Sequence, residues 1–471
     1  MMKKYIIYSL AAIGILMLGF SACKVTKTYQ TPKFAGTDSL FRDKIGFTDT
    51  TNLANLPYQD LFADPMLQSL IEEGLQQNLD LRSAIERMNN AAAQLRLSKV
   101  AYLPILNLDL SASENKQSQA ALNFPPGVNI NTQTQLFKAQ LSSSWEIDVW
   151  GKLGSAKRAA LASFLQTDAA KRAVQTQLIS DIANNYYLLL ALDKQLKITE
   201  QTLQNRIKAV ETVKALKDAA ILNGAAVVQS EANRYAAEVT LPDLKRSIRE
   251  TENTLDILLA KPGGTIRRGN LDDQQAIVDL KTGIPSQLLK NRPDIQQSEF
   301  AFETAYENTN LARTYFYPSL TLTANGGLSS LTIKNLFDNS IFYSVIGGLT
   351  QPIFNKGLNK ARLASAKAAQ QEAYYGFQKT LLTAGTEVSN YLYAYETAQE
   401  KQAFRSKQID ALTKSVDYTT QLLKYSAATN YTDVLTSEQA LLTAQLNGVN
   451  DQLQKFQAVV NLYRALGGGW K

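Results

Sequence analysis

The sequence predicts a mainly α-helical chain built from two copies of one helix–strand–strand–helix–helix unit, with four strands that contribute to a transmembrane β-barrel. Three observations predict it. The chain repeats itself, its strands alternate apolar and polar residues, and its helical tracts run long without proline.

The repeat is direct. "NLDLRSAIERMNNAAAQLRLSKVAYLPILNLDL" begins at Asn78 and "RPDIQQSEFAFETAYENTNLARTYFYPSLTLTA" at Arg292. Asp80 aligns with Asp294, Leu81 with Ile295 and Pro104 with Pro318, all at an offset of 214. In each copy an aspartate opens a helix, where a carboxylate meets free backbone N–H groups and the positive end of the helix dipole. A proline 24 residues later ends that helix and starts a strand. Leu106, Leu108 and Leu110 alternate in the first strand, Leu320, Leu322 and Ala324 in its counterpart, so strands fall at about 105–115 and 318–328.

A second strand follows in each half. In "FKAQLSSSWEIDVWGK", from Phe137, the residues Phe137, Ala139, Leu141, Trp145, Ile147 and Val149 share one face and Lys138, Gln140, Ser142, Ser144, Glu146 and Asp148 the other. The segment "SSWEIDVWGKLGSAKRA" is echoed by "GGLTQPIFNKGLNKARLA". These strands span about 135–150 and 341–353.

Between and after the strands lie the helical tracts, at about 154–221 and 226–261 in the first half and 358–427 and 432–466 in the second. The stretch from Gly154 to Asp218 alone, 65 residues, would span about 100 Å as one helix. Its apolar residues Leu178, Ile182, Leu189, Leu192, Leu196, Leu203, Ile207, Val210 and Val213 recur at coiled-coil spacing. "LNGAA" from Leu222 and "ATNYT" from Ala428 break the pattern and mark turns between helices, and Pro242 should kink the helix that contains it. "VVQSEANRYAAE" is echoed by "VLTSEQALLTAQ", with Glu231 matching Glu438. The halves are therefore 61–285 and 286–471.

The N-terminus is a different kind of segment. Lys3 and Lys4 precede an apolar run from Tyr5 to Phe20, the pattern of a secretory signal peptide over 1–22. The run ends in Ser21, Ala22 and the single cysteine, Cys23, and so resembles a bacterial lipobox. That resemblance implies cleavage before Cys23 and acylation of it, with acyl chains that anchor the chain durably at roughly 0.8 kcal/mol per buried methylene. The alternative is a chance cysteine at the end of an ordinary signal. Residues 23–60 read as a polar, extended, lipidated linker.

Composition removes several classes. The chain has no histidine and one cysteine among 471 residues. Histidine-based acid–base catalysis, most zinc sites and an intrachain disulfide go with them. No nucleophile elbow, phosphate loop or metal cluster is present, so no catalytic, cofactor-binding or metal residues are assigned and no cofactor is expected. The pair Glu146/Asp148 fits a general acid and base in principle, yet both lie on a polar strand face where solvation explains them. The net charge of +7 is scattered rather than clustered, so no nucleic-acid partner is expected.

Four strands cannot close a barrel, because membrane barrels begin at about eight. An open edge in lipid leaves backbone groups unpaired at several kcal/mol each. Pooling strands between chains solves this: three chains supply twelve. The apolar face of Phe137, Leu141, Trp145, Ile147 and Val149 then meets lipid and the other face a water-filled lumen, with Trp145 and Trp150 suited to an interface belt. A sandwich strand over a protein core is the competing reading of one strand alone.

The order and spacing of "SWEIDVWGK", "RPDI", "YPSL" and "YTDVLTSEQALLTAQ" (the last from Tyr431) resemble the TolC-like outer-membrane efflux channels, specifically their lipidated NodT-type branch. The resemblance implies a homotrimer in the bacterial outer membrane. It implies a twelve-stranded barrel, a long periplasmic coiled-coil α-barrel, and an equatorial belt that includes 263–285. It also implies loops near 114–134 and 329–340 that face outside. The implied function is a passive duct of a tripartite efflux system, docked on a periplasmic adaptor and an inner-membrane pump. The family closes its far end with aspartate rings, and Asp433 matches the first of the two ring positions, with Thr436 at the second. Asp433 can equally serve as a helix cap, worth roughly 0.3–1 kcal/mol. A structural or adhesive coiled-coil surface lipoprotein is the alternative function, and a lipid-anchored hydrolase a third.

Overall fold

Alternation and proline placement decide the elements. In the computed structural model, residues 25–32, 34, 40, 53–122, 131–275, 290–425 and 431–470 are described. Helices α1 (Pro65–Gln77) and α2 (Leu79–Val100) lead to β1 (Ile105–Lys116) and β2 (Gln133–Ile147). The long helices α3 (Lys152–Asp218) and α4 (Gly224–Leu258) follow. The second half repeats the order as α5 (Pro293–Thr314), β3 (Ser319–Ser330), β4 (Ile341–Thr350), α6 (Leu358–Tyr425) and α7 (Tyr431–Ala465). Residues 1–24, which hold the signal and Cys23, lie outside the described residues, as do most of the linker, 276–289 of the equatorial segment and 426–430 of the second turn.

The chain divides into two units, each described here by itself. One holds residues 1–32, 89–166 and 299–376 and contains the sheet; the other holds 33–88, 167–298 and 377–471.

In the sheet unit the four strands lie in the order β1-β2-β3-β4, all antiparallel. Hairpins β1–β2 and β3–β4 are the two copies of the repeat, and β2–β3 joins them. Leu108 lies opposite Leu141, Leu141 opposite Gly326 and Gly326 opposite Tyr343, so one row of side chains crosses all four strands on one face. At Gly327 a Cβ would sit 2.6 Å from the Cα of Gln140, so only glycine allows β2 and β3 to approach there.

Two strands end earlier than alternation predicts. β2 stops at Ile147 because Asp148 turns to cap α3: its Oδ1 accepts from the Leu153 N–H at 3.1 Å and its Oδ2 from the Gly154 N–H at 2.8 Å. Gly151, at φ +76°, makes the bend. Val149 and Trp150 are therefore not strand residues, and Asp148 is a cap rather than a lumen-facing acid. β4 stops at Thr350, shortly before Pro352, which cannot donate to a ladder.

In the other unit the core runs along α3 and α7. Ile179, Ile182, Tyr186, Leu189 and Leu190 of α3 pack with Val459, Leu462 and Tyr463 of α7, and Leu67, Ile71 and Leu255 close the cluster. The heptad positions Leu178, Ile182, Leu189, Val210 and Val213 are buried as their spacing predicts. α3 gives way to α4 slightly earlier than expected, because Ala220 adopts φ +60° and Asn223 caps α4 by accepting from the Ala226 N–H at 3.1 Å. Pro242 lies inside α4 without ending it. Residues 263–275 are held to α3 and α4 by Arg268, which pairs with Asp193 at 2.5 Å and Glu252 at 2.6 Å.

Candidate functional site

The site is built from the strands. Pairing register places Leu106, Leu108, Leu110 and Ala112 of β1 on one face with Phe137, Ala139, Leu141, Trp145 and Ile147 of β2. Leu320, Leu322, Ala324 and Leu328 of β3, and Ile341, Tyr343, Val345 and Leu349 of β4, share that face. None of these side chains is buried, and those of β1 and β4 are exposed throughout: Leu108 is 66% exposed and Tyr343 85%, with Leu141 of β2 at 51%. An apolar band of this size on a chain standing alone marks a membrane or partner surface. Among the described residues no helix is long and apolar enough to cross a membrane.

The opposite face is polar. Asp109 accepts from Ser142 Oγ at 2.7 Å, Lys138 sits 5.0 Å over the Phe342 ring, and Asn107, Ser144, Thr321, Thr323, Asn325 and Ser344 lie on it, with Ile105, Leu136 and Ile346 as exposed apolar members. Glu146 pairs with Lys152 at 2.8 Å. The two tryptophans occupy the end of the sheet. Trp145 Nε1 donates to the Tyr102 carbonyl at 2.8 Å, and Trp150 Nε1 donates to the Pro318 carbonyl at 2.7 Å while its ring lies 5.0 Å from that of Tyr317. Each indole spends its N–H on the backbone and leaves an apolar body, the disposition of interface aromatics.

Both outer strands, β1 and β4, have an edge that no other strand among the described residues covers. The helices of the second unit are left open in the same way. α3 is bridged to α4 by Lys214–Glu231 at 2.8 Å and to α7 by Gln195–Asn450 at 3.0 Å, and α7 is bridged to α6 by Arg405–Asp451 at 2.9 Å. The outer helices α4 and α6 carry exposed apolar residues at helical spacing: Val228, Tyr235 and Val239 on α4, Tyr393, Phe404, Tyr418 and Tyr425 on α6.

The helix turns carry the remaining candidate. Asp433 is an exposed acid in the first turn of α7. Beside it Tyr431 is buried and donates to Ser230 Oγ of α4 at 2.6 Å. Sequence reasoning missed Arg206. This buried arginine of α3 donates to the Asn233 carbonyl of α4 at 2.6 Å and to Gln439 of α7 at 2.8 Å, tying three helices near their turns. Burial lowers the Arg206 pKa and raises that of the neighbouring Glu438. Its signal was a charge within the apolar stripe Leu203, Ile207, Val210. Asp433 and the strand residues belong to different units, and Cys23 lies outside the described residues. Among the described residues no group of acids, histidines or cysteines is placed to hold a metal ion.

The family model for outer membrane efflux proteins matches residues 70–261 and 284–468. The chain belongs to the outer membrane efflux protein family. Its two matched stretches correspond to the two halves of the repeat. Over 474 residues it is 28% identical to the probable efflux pump outer membrane protein TtgC of Pseudomonas putida, covering 98% of this chain and 96% of that one. It is 30% identical over 416 residues to the pyoverdine export outer membrane protein OpmQ of Pseudomonas putida, covering 87% of each. The open state of the Neisseria gonorrhoeae MtrE outer membrane channel superposes with a TM-score of 0.83 at 26% identity, covering 95% of this chain and 99% of that chain. The protein is thus an outer-membrane efflux channel component, of a family of passive channels rather than enzymes.

Proposed function

We propose that three copies of the chain close into one duct, with a twelve-stranded barrel in the outer membrane and a helical barrel in the periplasm. One observation carries this reading: a four-stranded sheet with an exposed apolar face and two uncovered edges. An edge in hydrocarbon leaves its N–H and C=O groups unpaired at several kcal/mol each, so β1 of one copy must meet β4 of the next. The exposed stripes on α4 and α6 support the same head-to-tail closure. Small molecules delivered by an inner-membrane pump through a periplasmic adaptor would leave by this duct. Reconstitution in planar bilayers tests it: discrete conductance steps support a duct, and an electrically silent protein contradicts it.

Two residues refine the reading. Cys23 anchors the mature chain in the membrane through acyl chains. Intact-mass analysis should find diacylglycerol and fatty-acyl mass on an N-terminal fragment that begins at Cys23, and Cys23→Ser should remove it. A mature terminus elsewhere without lipid rules the anchor out.

Asp433 forms, with its two copies, a ring of carboxylates where the duct narrows. Such a ring favours cations and binds divalent ions that relieve its repulsion. Asp433→Asn should reduce cation selectivity and weaken block by divalent cations from the periplasmic side. Unchanged selectivity and block in an assembled channel would leave Asp433 as a helix cap only.

A further inference from the structure

Three asparagine–glycine pairs occur in the chain, at Asn223–Gly224, Asn325–Gly326 and Asn447–Gly448. In such a pair the backbone nitrogen of the glycine can attack the side-chain amide of the asparagine, because no Cβ on the second residue blocks the approach. The attack needs that nitrogen free of hydrogen bonds and the backbone free to turn. Two of the pairs fail this condition. Asn325–Gly326 lies in β3, which is paired on both sides, to β2 and to β4. Asn447–Gly448 lies inside α7, where each N–H is held by the carbonyl four residues before it.

Asn223–Gly224 meets the condition. Both residues are exposed. Asn223 is the extended residue before α4, at φ −93° and ψ 170°, and Gly224 is the first residue of that helix, whose N–H has no acceptor within the helix. Among the described residues this N–H makes no hydrogen bond. A Cβ on Gly224 would meet nothing within 4 Å, so the space around the pair is open. The side chain of Asn223 is already oriented, because its Oδ1 accepts from the Ala226 N–H at 3.1 Å. That donor, at the positive end of α4, polarises the amide and faces the oxyanion that forms when a nitrogen attacks Cγ. The bond that makes Asn223 a helix cap also activates it.

We propose that Asn223–Gly224 is a site of self-modification in the folded protein, which converts the amide of Asn223 into a carboxylate at the turn between α3 and α4. The Gly224 nitrogen gives its proton to solvent and bonds to Cγ, the Cγ–Nδ2 bond breaks, and ammonia leaves with a proton taken from solvent. The product is a five-membered succinimide. Water then opens the ring. Cleavage of the new N–Cγ bond gives aspartate, and cleavage of the original peptide bond gives isoaspartate, with the chain running through Cγ. In sum, one side-chain amide and one water become one carboxylic acid and one ammonia, which ionise to carboxylate and ammonium.

The new charge has a defined place. Residues 219–226 carry no acid in the unmodified chain. Tyr431, at the start of α7, bonds Ser230 of α4, so α4 and the helix that bears Asp433 begin side by side. Aspartate keeps the cap, since it serves there as well as asparagine, whereas isoaspartate lengthens the backbone and loosens it. On the duct reading proposed above, each copy adds a negative charge beside the Asp433 ring, and the aged channel becomes more selective for cations. The modification itself does not rest on that reading.

The test incubates the full-length protein in mild detergent at neutral and at alkaline pH. The tryptic peptide from Asp218 to Arg234 is followed by its mass and by enzymatic methylation of isoaspartate. Asn223 should convert at least tenfold faster than Asn325 or Asn447, and faster at alkaline pH, with isoaspartate in excess of aspartate. Gly224→Ala should slow the conversion at least tenfold without changing assembly, since the methyl group has room. An Asn223 that stays intact in the folded protein while it converts in the denatured chain overturns the site, and so do three pairs that convert alike in the folded protein. In planar bilayers the aged parent should gain cation selectivity and aged Gly224→Ala should not. Full conversion without that gain, in a conducting channel, overturns the placing of the charge at the pore and supports the modification alone. A protein that converts but never conducts supports the modification and overturns the duct reading instead.

Discussion

Leu141→Arg should prevent the sheet from settling in the membrane, while Ser144→Arg should not. Leu141 sits mid-strand in β2, between Leu108 and Gly326, on the exposed apolar face. An arginine on the lipid face of a membrane strand costs about 2–4 kcal/mol near the bilayer midplane and less toward either interface. In the proposed barrel of three copies the penalty enters three times. Ser144, on the opposite and exposed polar face of the same strand, would place its arginine in water. The measurement is the fraction of protein recovered as a heat-modifiable oligomer from the outer-membrane fraction. Loss for Leu141→Arg with near-normal recovery for Ser144→Arg confirms the assignment of faces. Equal impairment refutes it. Asp148 does not serve as the control, because its carboxylate caps α3 and its loss would act through that helix.

Arg292→Leu should cost about 3–5 kcal/mol, the penalty of removing one partner from a buried ion pair. Arg292 opens the "RPDI" motif and is only 4% exposed. It donates to the Ala465 carbonyl at the end of α7 at 2.9 Å, to both oxygens of Asp294 at 2.9 and 2.6 Å, and lies 2.8 Å from Glu387 of α6. One guanidinium thus joins the start of α5, the end of α7 and the middle of α6. Leucine fills much of the volume but leaves the Ala465 carbonyl without its donor, and Glu387 with only the Arg464 guanidinium, 3.8 Å away, as a cationic neighbour. The fork geometry is also specific, so Arg292→Lys should recover only part of the loss. Denaturant titration of the helical signal reads this directly. A midpoint unchanged in Arg292→Leu would mean that the cluster adds nothing to stability.

How much of this was legible in the sequence depends on which force acts at each place. The four strands and the long helices were legible because each buries or exposes a periodic face, and period two and the heptad leave a record in apolar residues. The end of β2 was not, because Val149 and Asp148 continue the alternation while hydrogen bonds to Leu153 and Gly154 decide the turn. Arg206 escaped because a search for apolar spacing passes over a charge, even one that three helices share. The placing of residues 25–32 along α5 left no periodic record at all: it comes from side chains hundreds of residues away, with Lys27 held by Asn310. Of the site residues, the band of Phe137, Leu141, Trp145 and Ile147 could be placed on one face by counting. The role of Asp433 could not, because an acid at a helix start serves a cap and a pore ring alike.

In the proposed trimer the open edges of one chain are closed by two others. The most direct measurement is the native mass of the complex released from membranes in mild detergent. A single species of three chains, each carrying the same N-terminal lipid mass, is expected. A stable species of one chain or of two would leave the edges of β1 and β4 unpaired, and would contradict this closure.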